Sequence, residues 1–421
     1  MSEKFIIQGQ KPLNGQVCVS GYKNAAGPVL AATLLTQEEC VIDNLPLVND
    51  VLNLIEVLEG MGVEIEWLAP KRVKIKAGSK VDPEKMDFST LAKMRVSVLL
   101  IGPLLANFGE FKISPPGGDR IGLRPISVHL DALGKLGVGV KKEGNFYYFR
   151  GDELKGREVV LREFSVTATE NLMMAAVKAK GKTIIKIAAA EPQVQDLGKM
   201  LIGMGAKIKG LGTHTIEIEG VGDLKGAAHK IVSDPLEAGT LIVAGAVTQG
   251  VLEVKNVVLE HLDFFFNKLE EMGIKLEKGA DFVKVGFSSN LNPVRIQSFP
   301  YPGFPTDLLP IVIPLLTQAE GKSLIHDPLY DNRLSYIHEL RKMGADIEIV
   351  DPHRAFIWGK TPLQGVRISS WDIRAGACLV IAGLLADGQT VIEDIHQIDR
   401  GYEKIEEKLQ KVGADIRRVQ D

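Results

Sequence analysis

Six times along 421 residues the chain repeats one short pattern: a helical run, a hydrophobic residue, a glycine, then an alternating strand. The copies read EGMGVEIEW, GKLGVGVKK, IGMGAKIKG, EEMGIKLEK, RKMGADIEI and QKVGADIRR. Their shared glycines are Gly62, Gly137, Gly205, Gly273, Gly344 and Gly413, spaced by 75, 68, 68, 71 and 69 residues. A fixed period of this kind marks one supersecondary unit used again and again. A glycine there suits a helix that ends in a left-handed cap, a conformation that a Cβ disfavours.

Other pieces keep the same period. A turn and strand recur as FGEFKI, KGKTIIKI, QGVLEV, EGKSLI and DGQTVIEDI. Before them lie small-residue, apolar stretches: LLIGPLLAN, NLMMAAVKA, TLIVAGAV, LLPIVIPLL and ACLVIAGLL, with AAGPVLAATLL in the first unit. Helices without a polar face must be surrounded by protein. That favours closed, barrel-like domains over an open solenoid, whose helices would keep a wet side. The last repeat lacks its closing strands, and the N-terminal FIIQGQKPLNGQVCVSG copies the segment that would supply them. The expected division is therefore two three-unit α/β domains, residues 23–232 and residues 1–22 plus 233–421.

Composition narrows the class. A net charge of -3 argues against a general nucleic-acid binder. The apolar runs are too short to span a bilayer, and the N-terminus shows no signal peptide. Three scattered cysteines suggest neither a disulfide framework nor a zinc site and fit a reducing cytosol. No metal, cofactor, membrane or nucleic-acid partner is expected, and nothing in the sequence sets the oligomeric state.

Polar residues cluster where each apolar helix begins: Lys23 and Asn24, Arg95, Ser165 and Thr169, Asp234 and Glu237, Thr306 and Asp307, Asp372 and Arg374. Helix N-termini present unpaired N–H groups and attract anions. Capping alone accounts for Ser165, Asp234 and Thr306. It does not account for Lys23 and Arg95, because a cation there opposes the helix dipole unless an anion joins it. Arg374 reads either way, since Asp372 is near enough in sequence to neutralise it. Arg400 is either a ligand group or a surface ion pair with Asp399 or Glu403.

The ordered set GYKNAAGPVLAATLL, SPPGGDRIGLRP, YPGFPTD, DNR, WDIRAGA and IDRGYEKIEEKL resembles the UDP-N-acetylglucosamine 1-carboxyvinyltransferase family of enolpyruvyl transferases across the whole chain. The resemblance implies two inside-out α/β barrel domains, each of three βαβαββ repeats, with an interdomain cleft and a mobile loop at 114–125. It implies transfer of the enolpyruvyl group of phosphoenolpyruvate (PEP) to the 3′-hydroxyl of UDP-N-acetylglucosamine, the first committed step of peptidoglycan synthesis, in the cytoplasm and without a metal. Lys23 and Asn24 match the PEP pair, and Arg124, Arg374 and Arg400 match guanidinium groups around phosphate and carboxylate. Arg95, Arg124, Pro125, Ile126, Ser127, Val128, Glu163, Ser165, Val166, Thr167, Asp307 and Leu329 match nucleotide-sugar positions. Lys23, Asp119, Asp307 and Arg400 match the reacting groups. Asp307 is the implied base, and Asp119 the implied acid toward the PEP methylene, provided that loop closure keeps its carboxyl protonated.

Three positions depart from the family pattern, all on the nucleotide side: Ser127 for an aspartate, Glu163 for a lysine and Thr167 for a glycine. The alternatives are transfer to another hydroxyl, as in the related 3-phosphoshikimate enzyme, or a non-catalytic binder of UDP-sugar or PEP. Most family members carry a cysteine where this chain has Asp119, and fosfomycin alkylates that thiol. This chain is therefore expected to resist fosfomycin. Rapid, PEP-dependent, irreversible inactivation in a time-course assay is the contrary result.

Overall fold

The computed structural model describes residues 3–118, 125–331 and 333–420. All six repeat glycines take a positive φ, between 92° and 108°. Each closes its helix with the same pair of hydrogen bonds. At Gly205, the glycine N–H donates to the Ile202 carbonyl and the Ala206 N–H reaches back to the Leu201 carbonyl, both at 2.9 Å. The same pairing recurs at Gly62 and Val63, Gly137 and Val138, Gly273 and Ile274, Gly344 and Ala345, and Gly413 and Ala414. It is the Schellman arrangement, which satisfies two carbonyls that a helix end leaves open.

The apolar stretches form six inner helices: α1 Lys23–Ala32, α2 Ile101–Phe108, α3 Val166–Ala176, α4 Pro235–Val247, α5 Leu309–Leu316 and α6 Ile373–Leu385. Every residue of α4 and α5 is buried, and so is every residue of α6 up to Leu384. Each buried Leu, Ile or Val contributes about 1.5–3 kcal/mol of transfer free energy, which holds these helices in place despite Pro28 and Pro314 inside α1 and α5.

The chain divides into two compact units, residues 3–20 with 233–420, and residues 21–118 with 125–232. In the first unit, α4, α5 and α6 pack on one another. In the second, α2 packs on α3, and α1 packs on the outer helix Pro192–Gly203. Each unit carries three sheets, and among the described residues five of the six share one pattern. Glu158–Val160 runs parallel to Lys182–Lys186, which is antiparallel to Thr215–Glu219, itself antiparallel to Lys207–Lys209.

The N-terminal segment serves two sheets rather than one. Glu3–Gln8 lies antiparallel between Gln389–Glu393 and Asp415–Gln420, burying Phe5 and Ile7, and so completes the last repeat. Gly15–Cys18 instead runs parallel to Val251–Lys255 and opens the sheet of the fourth repeat. The second repeat is irregular. Its sheet has three strands, Glu110–Ile113, Phe146–Arg150 and Gly139–Glu143. Where its sisters have a further strand, Asp82 and Asp87 cap a 3₁₀ turn at Pro83–Lys85 and a short helix at Phe88–Leu91. Proline has no N–H to give a ladder, and the two aspartates stabilise helical turns instead.

A side chain at Gly205 has room, with no atom within 4 Å of an added Cβ, so only its φ of +100° resists substitution. Gly205→Ala is expected to lose about 1–3 kcal/mol from backbone strain. Gly222→Ala, equally open but at an ordinary φ, is expected to be near neutral. Urea midpoints of the two variants check this.

Candidate active site

In the unit of residues 233–420, the N-terminal ends of α4, α5 and α6 carry Asp234, Asp307 and the Asp372–Arg374 pair. Asp234 and Asp372 are helix caps. The Asp234 carboxylate accepts from the N–H groups of Leu236 and Glu237, and Asp372 accepts from those of Arg374 and Ala375. Thr306 is not a cap: it opens the 3₁₀ turn Thr306–Leu308, and its hydroxyl donates to Asp327 at 2.6 Å. Asp327 also accepts from Ser298 and from the Leu329 N–H, so it ties the Leu329 loop to the start of α5.

Asp307 is the centre of this end. Arg333 Nη2 donates to one carboxylate oxygen at 2.6 Å, and Arg374 Nε donates to the other at 3.1 Å. Burial alone would raise the Asp307 carboxyl, but the two guanidinium charges outweigh it and hold the group at about 2. So Asp307 takes up the Arg374 charge, while Asp372 spends an oxygen on the α6 cap. Arg333 and Arg374 are both buried, at 3% and 4% exposure. Arg333 stacks over Tyr330 and Arg374 over Tyr402, and Arg333 Nε is a buried donor with no acceptor. Nearby Asp234 is pushed by burial to about 6, although the Arg374 charge pulls it down. Arg400 is half-buried, with Nη1 donating to Gln397 at 2.8 Å. Asp399 turns instead to Arg418, at 2.7 and 2.9 Å, and Glu403 accepts from Ser20.

In the other unit, Lys23 is the first residue of α1. Its Nζ lies 2.8 Å from Asp50, in the first turn of the outer helix Asn49–Gly60. Asn24 donates to the Tyr22 hydroxyl. Arg95 stands just before the 3₁₀ turn Val96–Leu100 that leads into α2. Ser165 caps α3, accepting from the Ala168 N–H. Thr169 is fully buried and bonds to the Ser165 carbonyl and the Ala189 N–H. Thr167 and Val166 are half-buried, while Glu163, Pro125 and Ser127 are exposed. Ile126 and Val128 are buried. Asp119 and Arg124 lie outside the described residues.

Arg333 and Asp50 escaped the reading of the sequence. Arg333 closes the DNR motif, where a cation after two polar residues was the available signal. Asp50 carries only the weak signal of an acid in the first turn of an apolar helix.

The family profile of EPSP synthase (3-phosphoshikimate 1-carboxyvinyltransferase) matches residues 7–409. The UDP-N-acetylglucosamine 1-carboxyvinyltransferase of Koribacter versatilis is 44% identical over 420 residues, covering 99% of this chain and 96% of that protein. UDP-N-acetylglucosamine 1-carboxyvinyltransferase 1 of Carboxydothermus hydrogenoformans is 45% identical, covering 99% and 98%. The chain belongs to this carboxyvinyltransferase family. The enolpyruvyl transferase NikO of Streptomyces tendae shares the fold, with a TM-score of 0.91 at 23% identity over 100% of this chain and 99% of that one. In this family member the acid of the YPGFPTD motif is thus an ionised carboxylate gripped by two buried arginines.

Because Asp307 sits below its unfolded value, its stabilising contribution is full above about pH 4 and fades as the pH falls toward 2. Asp307→Asn is expected to be less stable than wild type by about 2 kcal/mol at pH 7. The gap should narrow as the pH drops below about 4, as read from urea unfolding at pH 7, 5 and 3.

Proposed function

We propose that this chain transfers the enolpyruvyl group of PEP to the 3′-hydroxyl of UDP-N-acetylglucosamine and releases phosphate, the first committed step of peptidoglycan synthesis. The observation that carries the reading is Asp307, kept ionised between Arg333 and Arg374 in a chain 44% identical over its length to a UDP-N-acetylglucosamine 1-carboxyvinyltransferase.

The chemistry is an addition followed by an elimination. The sugar oxygen bonds to C2 of PEP as its proton passes to Asp307, and the methylene C3 gains a proton from Asp119. The tetrahedral product then loses phosphate from C2 and a proton from C3, restoring the double bond. Lys23, Asn24, Arg124, Arg374 and Arg400 bind the phosphate and carboxylate of PEP. Arg95 and the segments 125–128 and 163–167 receive the nucleotide diphosphate, with Leu329 beside the sugar.

A carboxylate held at about 2 is a weak base. An anion that draws Arg374 away removes one of the two charges that depress it. PEP binding therefore makes Asp307 more basic at the moment a proton must be taken. Among the described residues no helix is long and apolar enough to cross a membrane. The cysteines Cys18, Cys40 and Cys378 are free, which suits the reducing cytoplasm where we place the reaction.

The test is phosphate release from PEP with UDP-N-acetylglucosamine, 3-phosphoshikimate or no acceptor. Release is expected with the nucleotide sugar alone. Release only with 3-phosphoshikimate, or with neither, defeats the reading. In the same assay Asp119→Ala should lose about 10²–10⁴-fold in turnover while still binding the nucleotide sugar.

A further inference from the structure

A buried hydrogen-bond chain sets the direction of one hydroxyl proton at the start of α3. Asn171 is fully buried on that helix. Its Oδ1 accepts from the Gly102 N–H at 2.7 Å, and its Nδ2 donates to the Val98 carbonyl at 2.9 Å. A backbone donor on one side and a backbone acceptor on the other leave the amide a single orientation. The second Nδ2 proton then points at His129 Nδ1, 3.0 Å away, so that nitrogen carries a lone pair. His129 is only 1% exposed. Burial first, and the Arg95 charge second, push it down to about 3, so the ring is neutral. A neutral imidazole with a bare Nδ1 has its proton on Nε2. That proton is donated to Thr167 Oγ1 at 3.0 Å.

Thr167 thus accepts from the interior. This is the one hydrogen bond its side chain makes among the described residues, and the residue is half-exposed. Its own hydroxyl proton is left for an acceptor outside the protein core. We propose that Thr167 is a specificity-determining donor, its O–H turned outward by the Asn171–His129 relay to bind a phosphate oxygen of the nucleotide diphosphate. The inference rests on the function proposed above. It also gives the Thr167 departure a use. The family's glycine has no hydroxyl, and the lysine position nearby is Glu163, so the hydroxyl supplies a contact to an anion where a cation is missing.

Two measurements test it. In protein labelled with ¹⁵N-histidine, the His129 ring, assigned by its loss in His129→Gln, should appear at pH 7 as the neutral Nε2–H tautomer. A charged ring or an Nδ1–H tautomer overturns the relay. In steady-state assays Thr167→Val should raise KM for UDP-N-acetylglucosamine about tenfold, the weight of a hydrogen bond to a charged group, without raising KM for PEP. Thr167→Ser should restore it, which a merely structural role of the methyl group would not predict. A Thr167→Val enzyme with wild-type KM for the nucleotide sugar overturns this proposal and leaves the functional reading intact. Wild-type enzyme that releases no phosphate with UDP-N-acetylglucosamine overturns both.

Discussion

A helix buried on every side has only its ends to offer a ligand. That constraint organises this protein. α4, α5 and α6 are apolar throughout and enclosed, so their polar groups collect where the chain enters them. Asp234, Asp307, Asp372 and Arg374 all stand at such points. The apolar bodies behind them fix these groups as firmly as the core itself. Asp307 can then hold two guanidinium groups at 2.6 and 3.1 Å with little further loss of freedom.

The same device answers an electrostatic problem in both units. A cation at a helix N-terminus faces the positive end of the dipole. Lys23 and Arg374 both do so, and each is met by a carboxylate from another element: Asp50 for Lys23 and Asp307 for Arg374. A bound anion that takes the place of either carboxylate meets a charge and a helix dipole already aligned. Breaking such a buried pair from one side costs about 3–5 kcal/mol, so the exchange is favourable only for an anion that replaces the lost contacts.

The repeat was legible because it is written in glycine. The six Schellman ends follow from one residue type at one spacing, and a local cap needs no knowledge of distant contacts. The caps at Ser165 and Asp234 were legible for the same reason. What the sequence hid is non-local. Nothing near Asp307 in the chain announces Arg333 or Arg374, and Arg374 has Asp372 as its closer neighbour, which the α6 cap occupies. The Asp50 partner of Lys23 and the His129 and Asn171 partners of Thr167 depend likewise on packing between elements. Thr306 read as a cap by residue type, yet Asp327 claimed its hydroxyl. The irregular second repeat followed from Pro83 and two capping aspartates that the period alone did not weigh.

The three departures from the family pattern, at positions we propose for the nucleotide, fit one electrostatic account. Glu163 in place of a lysine turns a charge from attractive to repulsive, but it is exposed. In water, unit charges 4 Å apart interact by about 1 kcal/mol, and salt weakens this further. Ser127, also exposed, removes a negative charge from the same side and offsets part of the change. Thr167 differs in kind, because its hydroxyl is directed by buried groups that solvent does not screen. A directed donor is worth more to a diphosphate than a solvated charge at the rim. On the function proposed above, the nucleotide side trades surface charge for oriented hydrogen bonding.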